Sequence, residues 1–244
     1  MAAAGLGVRM RSAGLKPSPN LKPSPKPRPK QYLKLRGRTL IEHSINEFMH
    51  SAWVEGVVVV LAPGDEDFAR LEIARHRKLH TATGGATRAE SVLAGLQKVG
   101  QLDSGKVNAA GSPYVLIHDA ARPCVTRDDL ERLRSETSDD QGGLLAMPVA
   151  DTLKRAEAGR VAATVDRRDL WRAQTPQLFR LDLLRQALGD CLAQGIEVTD
   201  EARAMEAAGH RPRLVAGREG NVKVTYPDDL ALAEFWLERL ESGR

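Results

Sequence analysis

The run GVVVVLAP at 56–63 sets the first limit on what this chain can fold into. Four valines in succession leave no polar face, so a strand built on them is covered on both sides, as parallel strands between helix layers are. YVLIHD (114–119) and GGLLAMPV (142–149) are further strands of the same kind. Helical spacing separates them. Ile41, Ile45, Phe48 and Met49 fall on one stripe of LIEHSINEFMHS, RAESVLAGLQKV (88–99) reads as a helix, and TRDDLERLRSE (126–136) opens on a capping-box-like Thr126 and Asp129. Further on, LDLLRQALGDCLAQG (181–195) is a helix stopped by Gly195, TDEARAMEAAG (199–209) a helix capped by Thr199, and YPDDLALAEFWLERL a last helix from near Pro227. RLVAG and NVKVT read as short strands. The alternation predicts an α/β fold, a mainly parallel sheet flanked by helices, with residues 1–244 forming one domain.

One stretch breaks the alternation. ADTLKRAEAGRVAATVDRRDLW (150–171) reads as two short strands joined by a Glu-Ala-Gly turn, a projecting hairpin. Its outer apolar positions need a cover, and a second subunit is the simplest one.

Composition narrows the function classes. With 244 residues, 42% of them hydrophobic, the chain can bury a substantial core. Its two cysteines, Cys124 and Cys191, are far apart and in no CxxC pair, which argues against a disulfide framework or zinc site and for a reducing, cytoplasmic location. No apolar run approaches the ~18 residues of a membrane span, and the start lacks a signal peptide's apolar centre. The net charge of +4 is local: residues 9–30 carry seven cations and no acid, leaving −3 for the rest. With aromatics at 4% and none in that tract, a small anionic ligand fits better than nucleic acid.

Three segments could carry chemistry. AAAGLGVRM supplies a glycine turn whose bare N–H groups suit phosphate oxygens, though such a composition also describes a flexible terminus. GGATRAES (84–91) is a second glycine turn leading into a helix, with Arg88 and Ser91 a turn apart; a plain loop-to-helix junction has the same form. In HDAARP (118–123), Asp119 ends a strand, where ligands of α/β sheets gather. A carboxylate there suits Mg²⁺, which takes one or two carboxylates plus substrate phosphates, or it caps the following turn.

Together GLGVRM, PKQYL, TLIEHSI, GGATRAESVLAGL, HDAARP, DTLKRA, TVDRRDLW, TPQLF, TDEA and NVKVTYPDDLALAE, in that order, resemble the 2-C-methyl-D-erythritol 4-phosphate cytidylyltransferase family, from Ala2 to Glu234. The resemblance implies a Rossmann-like nucleotidyltransferase fold, a homodimer built through the projecting arm at 150–171, and transfer of CMP from CTP to a sugar-alcohol phosphate with Mg²⁺ present. It implies that Arg9 and Lys30 are cations at the triphosphate, and that Arg167 and Lys223 position the sugar phosphate. Thr152, Thr175 and Thr199 would be polar contacts to that substrate, some reached across the dimer. For CTP, Ala3, Ala4, Gly5 and Gly7 would form the phosphate turn, and Gly84, Arg88 and Ser91 the base and ribose pocket. Asp119 would hold the metal with Arg122 beside it, and Glu219 is the only candidate for a second acidic ligand.

Two departures from the family follow. A hydrophobic strand is expected before the glycine turn, so Met1 is not expected to be the true start. Arg9 and Lys30 are also separated by RSAGLKPSPNLKPSPKPRP, a proline-rich insertion at 11–29 that is read as a loop of the nucleotide site. Two rival readings remain. One is a cytidylyltransferase for another polyol phosphate such as ribitol 5-phosphate. The other is a non-catalytic member whose proline tract serves SH3-like partners.

Overall fold

The computed structural model describes residues 29–103, 112–137 and 141–242. Ala3, Ala4, Gly5, Gly7 and Arg9, with the proline tract up to residue 28, lie outside them. After a single 3-10 turn at Lys30–Tyr32, a small hairpin of β1 (Lys34–Leu35) and β2 (Arg38–Thr39) leads into α1 (Leu40–His50). Thr39 starts that helix with a capping box: its Oγ1 accepts from the Glu42 amide at 3.3 Å, and Glu42 Oε2 accepts from the Thr39 amide at 2.7 Å. Then follow β3 (Val57–Leu61), β4 (Leu79–Thr83), α2 (Arg88–Asp103), β5 (Tyr114–Ile117), α3 (Arg127–Glu136) and β6 (Gly143–Pro148). The remainder is β7 (Leu153–Glu157), β8 (Arg160–Val165), β9 (Trp171–Arg180), α4 (Leu181–Ala193), α5 (Glu201–Ala207), β10 (Arg213–Ala216) and α6 (Asp228–Ser242).

Four strands form one sheet in the order β10-β6-β9-β5. β10 and β6 are parallel, whereas β9 is antiparallel to both β6 and β5, so three strands share a direction and β9 opposes them. β3 and β4 form a separate parallel pair. Among the described residues β3 and β5 each pair on one edge only. Between them lies a cavity of about 890 Å³, lined by Val58, Val60, Leu96, Val115 and Ile117 among others.

Alternation along the strands sends side chains to two helix layers. Val115 and Ile117 pack with Leu96, Leu184, Leu188 and Met205 of α2, α4 and α5. Val57 and Val59 face the opposite way, onto Ile41, Ile45 and Phe48 of α1 and Leu130 of α3. Ile41 and Ile45 are fully buried; at ~1.5–3 kcal/mol for each such side chain, this stripe anchors α1. One glycine is forced: Gly142 has φ +71°, and a Cβ there would lie 2.1 Å from Phe179 Cδ1.

The hairpin at 150–171 is confirmed as β7 and β8, which among the described residues pair only with each other, from Leu153↔Val165 to Glu157↔Arg160. Its turn, Ala158 at φ +45° and Gly159 at φ +75°, has the two left-handed residues a tight hairpin requires.

Three expectations are corrected. NVKVT is not assigned as a strand: Val224 donates to Ala121 O at 2.8 Å, but among the described residues no ladder continues from that bond. α5 is capped by Asp200, whose side chain accepts from the Arg203 amide, and not by Thr199. TPQLF belongs to β9, a ten-residue strand that sequence spacing does not reveal. Elsewhere the Thr126/Asp129 capping box stands as read, and buried Asp129 also binds Arg132 and Arg218.

Candidate active site

Asp119 stands just beyond β5, where the loops of the sheet converge. Its carboxylate is 12% exposed and meets three cations: Lys223 Nζ at 2.6 Å, Arg88 Nη2 at 3.5 Å and Arg122 Nε at 3.9 Å. Burial pushes the Asp119 carboxyl upward, but Lys223, Arg88 and Arg122 outweigh it and hold the group well below the usual carboxylate range. The group is an anion at any physiological pH.

Each cation is aimed by a further contact. Arg88, in the first turn of α2, grips Glu201 with Nη1 at 2.6 Å and Nη2 at 3.0 Å. Glu201 is wholly buried at the start of α5; burial pushes its carboxyl upward, and the Arg88 guanidinium opposes that. Arg122 donates from Nη1 to Asn221 O at 2.7 Å, and burial lowers its affinity for its proton. Lys30 donates from Nζ to Val224 O at 3.1 Å, which brings it to the chain beside Lys223. The cluster is a small anion surrounded by cations, a site that can accept more negative charge by opening.

The structure therefore brings Lys30, Arg88, Asp119, Arg122 and Lys223 to one place. Gly84 and Ser91 lie on the same loop and helix as Arg88. Gly84 N donates to Leu61 O at 2.8 Å, while the buried Ser91 hydroxyl is turned back on Thr87 O at 2.8 Å. Thr175 is buried as well and meets the site through the backbone amide of Asp119. Thr152, Arg167 and Thr199 are exposed, and among the described residues no contact joins them to Asp119. Thr152 and Arg167 sit at the base of the hairpin, where the Arg167 guanidinium donates to Ala150 O. Glu219 does not stand with Asp119 as a second ligand: its carboxylate is held by Arg172 at 2.6 Å, in solvent. Among the described residues there is no group of three His, Cys, Asp or Glu that could hold a metal ion.

Sequence reasoning passed over Glu201, His118 and Asn221. Glu201 looks like an ordinary first-turn acid, favourable at any helix start, and only its complete burial against Arg88 marks it out.

The family model for 2-C-methyl-D-erythritol 4-phosphate cytidylyltransferase matches residues 1–239. The chain belongs to that family. A 2-C-methyl-D-erythritol 4-phosphate cytidylyltransferase of Yersinia pestis (strain Pestoides F) is 51% identical over 217 residues, 88% of this chain and 86% of the relative. A crystal structure of 4-diphosphocytidyl-2C-methyl-D-erythritol synthase superposes with a TM-score of 0.75 at 42% identity, covering 85% of this chain and 94% of that one. The Francisella tularensis 2-C-methyl-D-erythritol 4-phosphate cytidylyltransferase gives a TM-score of 0.74 at 30% identity, covering 96% of both chains. This cytidylyltransferase family is a family of nucleotidyltransferases, and the Asp119 cluster lies inside the matched span.

Proposed function

We infer that the chain transfers CMP from CTP to 2-C-methyl-D-erythritol 4-phosphate, giving 4-diphosphocytidyl-2-C-methyl-D-erythritol and pyrophosphate, a step of non-mevalonate isoprenoid precursor synthesis. A phosphate oxygen of the sugar alcohol attacks the α-phosphorus of CTP; the bond from that phosphorus to the bridging β-oxygen breaks, and pyrophosphate leaves with the electron pair. The nucleophile is anionic at neutral pH, so no general base is required. What the step needs is positive charge that holds two phosphates together and stabilises charge in the transition state. The single observation that carries the reading is the convergence of Lys223, Arg88 and Arg122 on Asp119, with Lys30 on the neighbouring backbone.

In this reading Arg9 and Lys30 meet the triphosphate, and Arg88, Arg122, Gly84 and Ser91 belong to the nucleotide side. Lys223, Arg167, Thr152 and Thr199 receive the sugar phosphate. One buried-edge carboxylate fits Mg²⁺, which needs few protein oxygens when phosphates supply the rest. Asp119 would hold it once Lys223 moves, and Glu219 would not, being claimed by Arg172. When bound, Mg²⁺ neutralises phosphate charge.

We propose a homodimer built on the β7–β8 arm. It carries Val161 at 67% exposure, and Leu170 and Trp171 follow at 36% and 39%, apolar surface that a second copy would cover. The compartment we propose is the cytoplasm, consistent with two buried free cysteines. No helix among the described residues is long and apolar enough to cross a membrane.

The test is pyrophosphate release from CTP with methylerythritol phosphate and, separately, ribitol 5-phosphate. Release with the first and little with the second is expected. Preference for ribitol 5-phosphate would replace the substrate, and no release with either would favour the non-catalytic alternative.

A further inference from the structure

Beside the charged cluster lies a closed circuit of hydrogen bonds built mostly on neutral groups. His118, 1% exposed at the end of β5, sits with its ring tilted against Phe48 at 5.1 Å between centroids. Its Nε2 is 3.0 Å from Arg122 O, and its Nδ1 is 3.0 Å from Thr175 Oγ1. The same Thr175 oxygen is 3.0 Å from the Asp119 amide nitrogen. Asn221 closes the circuit: its Nδ2 donates to Thr175 O at 2.8 Å, and its backbone carbonyl accepts from Arg122 Nη1 at 2.7 Å.

These partners allow one arrangement of hydrogens. A backbone carbonyl only accepts, so Nε2 carries the ring proton toward Arg122 O. A neutral imidazole has one such proton. Nδ1 is then bare and accepts the Thr175 hydroxyl hydrogen. The amide of Asp119 must donate, so it takes a lone pair of the same oxygen. Thr175 has thus spent its only hydrogen and has none to offer a substrate phosphate. The turn from Asp119 to Arg122, closed by Arg122 N donating to Asp119 O at 3.0 Å, is held at its first amide by Thr175 and at its last carbonyl by His118.

We propose that His118 is a positioning residue for cytidylyl transfer. Acting through Thr175, it fixes the 119–122 turn so that Asp119 and Arg122 both face the nucleotide. Thr175 then serves the reaction as part of this support, in place of the direct substrate contact that its motif implies. The role rests on the functional reading above, since it takes Asp119 and Arg122 to be nucleotide-site residues; the hydrogen arrangement itself does not.

The tests use the full chain. In the parent protein, free of nucleotide and metal, long-range ¹H–¹⁵N NMR at neutral pH should place the His118 proton on Nε2 with Nδ1 bare. Thr175→Val should shift the Nδ1 resonance, and Thr175→Ser should return it toward the parent position. A proton found on Nδ1 in place of a bare Nδ1 would overturn the proposal whatever reaction the protein catalyses. In turnover, His118→Phe and Thr175→Val should each lower kcat/KM for CTP by roughly 10–100-fold, the usual cost of losing a support behind a site ligand. Because both act through one circuit, the double variant should be no worse than the weaker single variant. Thr175→Ser should recover most of the loss, and KM for the sugar phosphate should stay within about threefold throughout. Multiplying losses, or a Thr175→Val effect confined to KM for the sugar phosphate, would return Thr175 to the substrate and leave His118 a packing residue.

Discussion

Lys223 Nζ lies 2.6 Å from Asp119 Oδ2, so the carboxylate suited to a divalent cation is already neutralised by a cation of the chain itself. Lys223→Gln should therefore move two measurements in opposite directions. kcat/KM for the sugar phosphate should fall by about 100-fold, the loss of a charge-assisted contact to a dianion. Mn²⁺ affinity of the nucleotide-free protein should rise, by about tenfold or more, because one competing positive charge is gone. Calorimetric Mn²⁺ titration reads the second effect. Unchanged or weaker Mn²⁺ binding would show that Asp119 is not the metal ligand.

Glu201→Gln should be costly away from the reacting atoms. It leaves the Arg88 guanidinium, part-exposed and still 3.5 Å from Asp119, facing a neutral amide where the buried carboxylate stood, a loss of about 1–3 kcal/mol. Urea unfolding should show the loss, with KM for CTP raised as Arg88 loses its orientation. A variant as stable as the parent would mean that Asp119 alone suffices to hold Arg88.

The arm offers a test by subunit mixing. Arg167 is exposed at the base of the hairpin, while Lys223 stands in the Asp119 cluster. If each site combines one subunit's Lys223 with the other's Arg167, mixing Arg167→Ala with Lys223→Ala creates one intact site per heterodimer. Activity should then rise well above either variant alone after the mixture is dissociated and reassociated. Activity that stays at the average of the two variants would put both residues in one subunit's site.

Lys30→Ala should lower kcat by orders of magnitude, whereas deleting residues 12–25 should leave it within a few-fold. A longer solvated link between Arg9 and Lys30 costs only about 1 kcal/mol of closure entropy. Loss of turnover in a folded deletion variant would make the tract part of the catalytic machinery.

Cys124 gives a pH signature. Burial pushes its thiol up to about 12, and its Sγ donates to Ala233 O at 3.5 Å. The folded state therefore holds a proton that the unfolded chain releases near its ordinary pKa of about 8.5. That stabilisation is complete below about pH 8.5 and is lost as pH rises toward 12. The urea midpoint should fall above about pH 8.5 more steeply in the parent than in Cys124→Ala. Iodoacetamide should label the native protein very slowly at pH 8, and fast labelling of Cys124 would show that the thiol is exposed.

Much of this was legible before any coordinates. The Thr126/Asp129 box, the valine strand and the Ala158–Gly159 turn are local signals, and the structure keeps each of them. β9 was hidden because its buried Gln174, Thr175 and Gln177 look like loop residues, and Pro176 argues against an interior strand. Their partners, Arg218 O for Gln174, His118 for Thr175 and Asp200 for Gln177, come from distant segments that no spacing rule reaches. NVKVT misled in the opposite sense, since its alternation suits a strand although among the described residues no neighbour completes a ladder. Within the site the charged residues announced themselves by type, while the neutral and buried groups that aim them did not.

Asp129 is wholly buried and does three things with one carboxylate. It closes the start of α3 at the Thr126 amide, it takes Arg132, and it binds Arg218 at 2.8 Å, whose other bond reaches Cys124 O at 2.8 Å. The segment that goes on to Asn221 and Lys223 is thereby moored to a helix start on the outer layer. For the history of the family this sets a constraint of its own. Losing Asp129 leaves Arg132 and Arg218 without their shared carboxylate, and losing Arg218 takes from the buried carboxylate one of its two cations, so the path to any other pairing crosses a less stable intermediate. Descendants of this chain are expected to keep both residues or to exchange them together, so that the start of α3 evolves at the pace of the segment it moors.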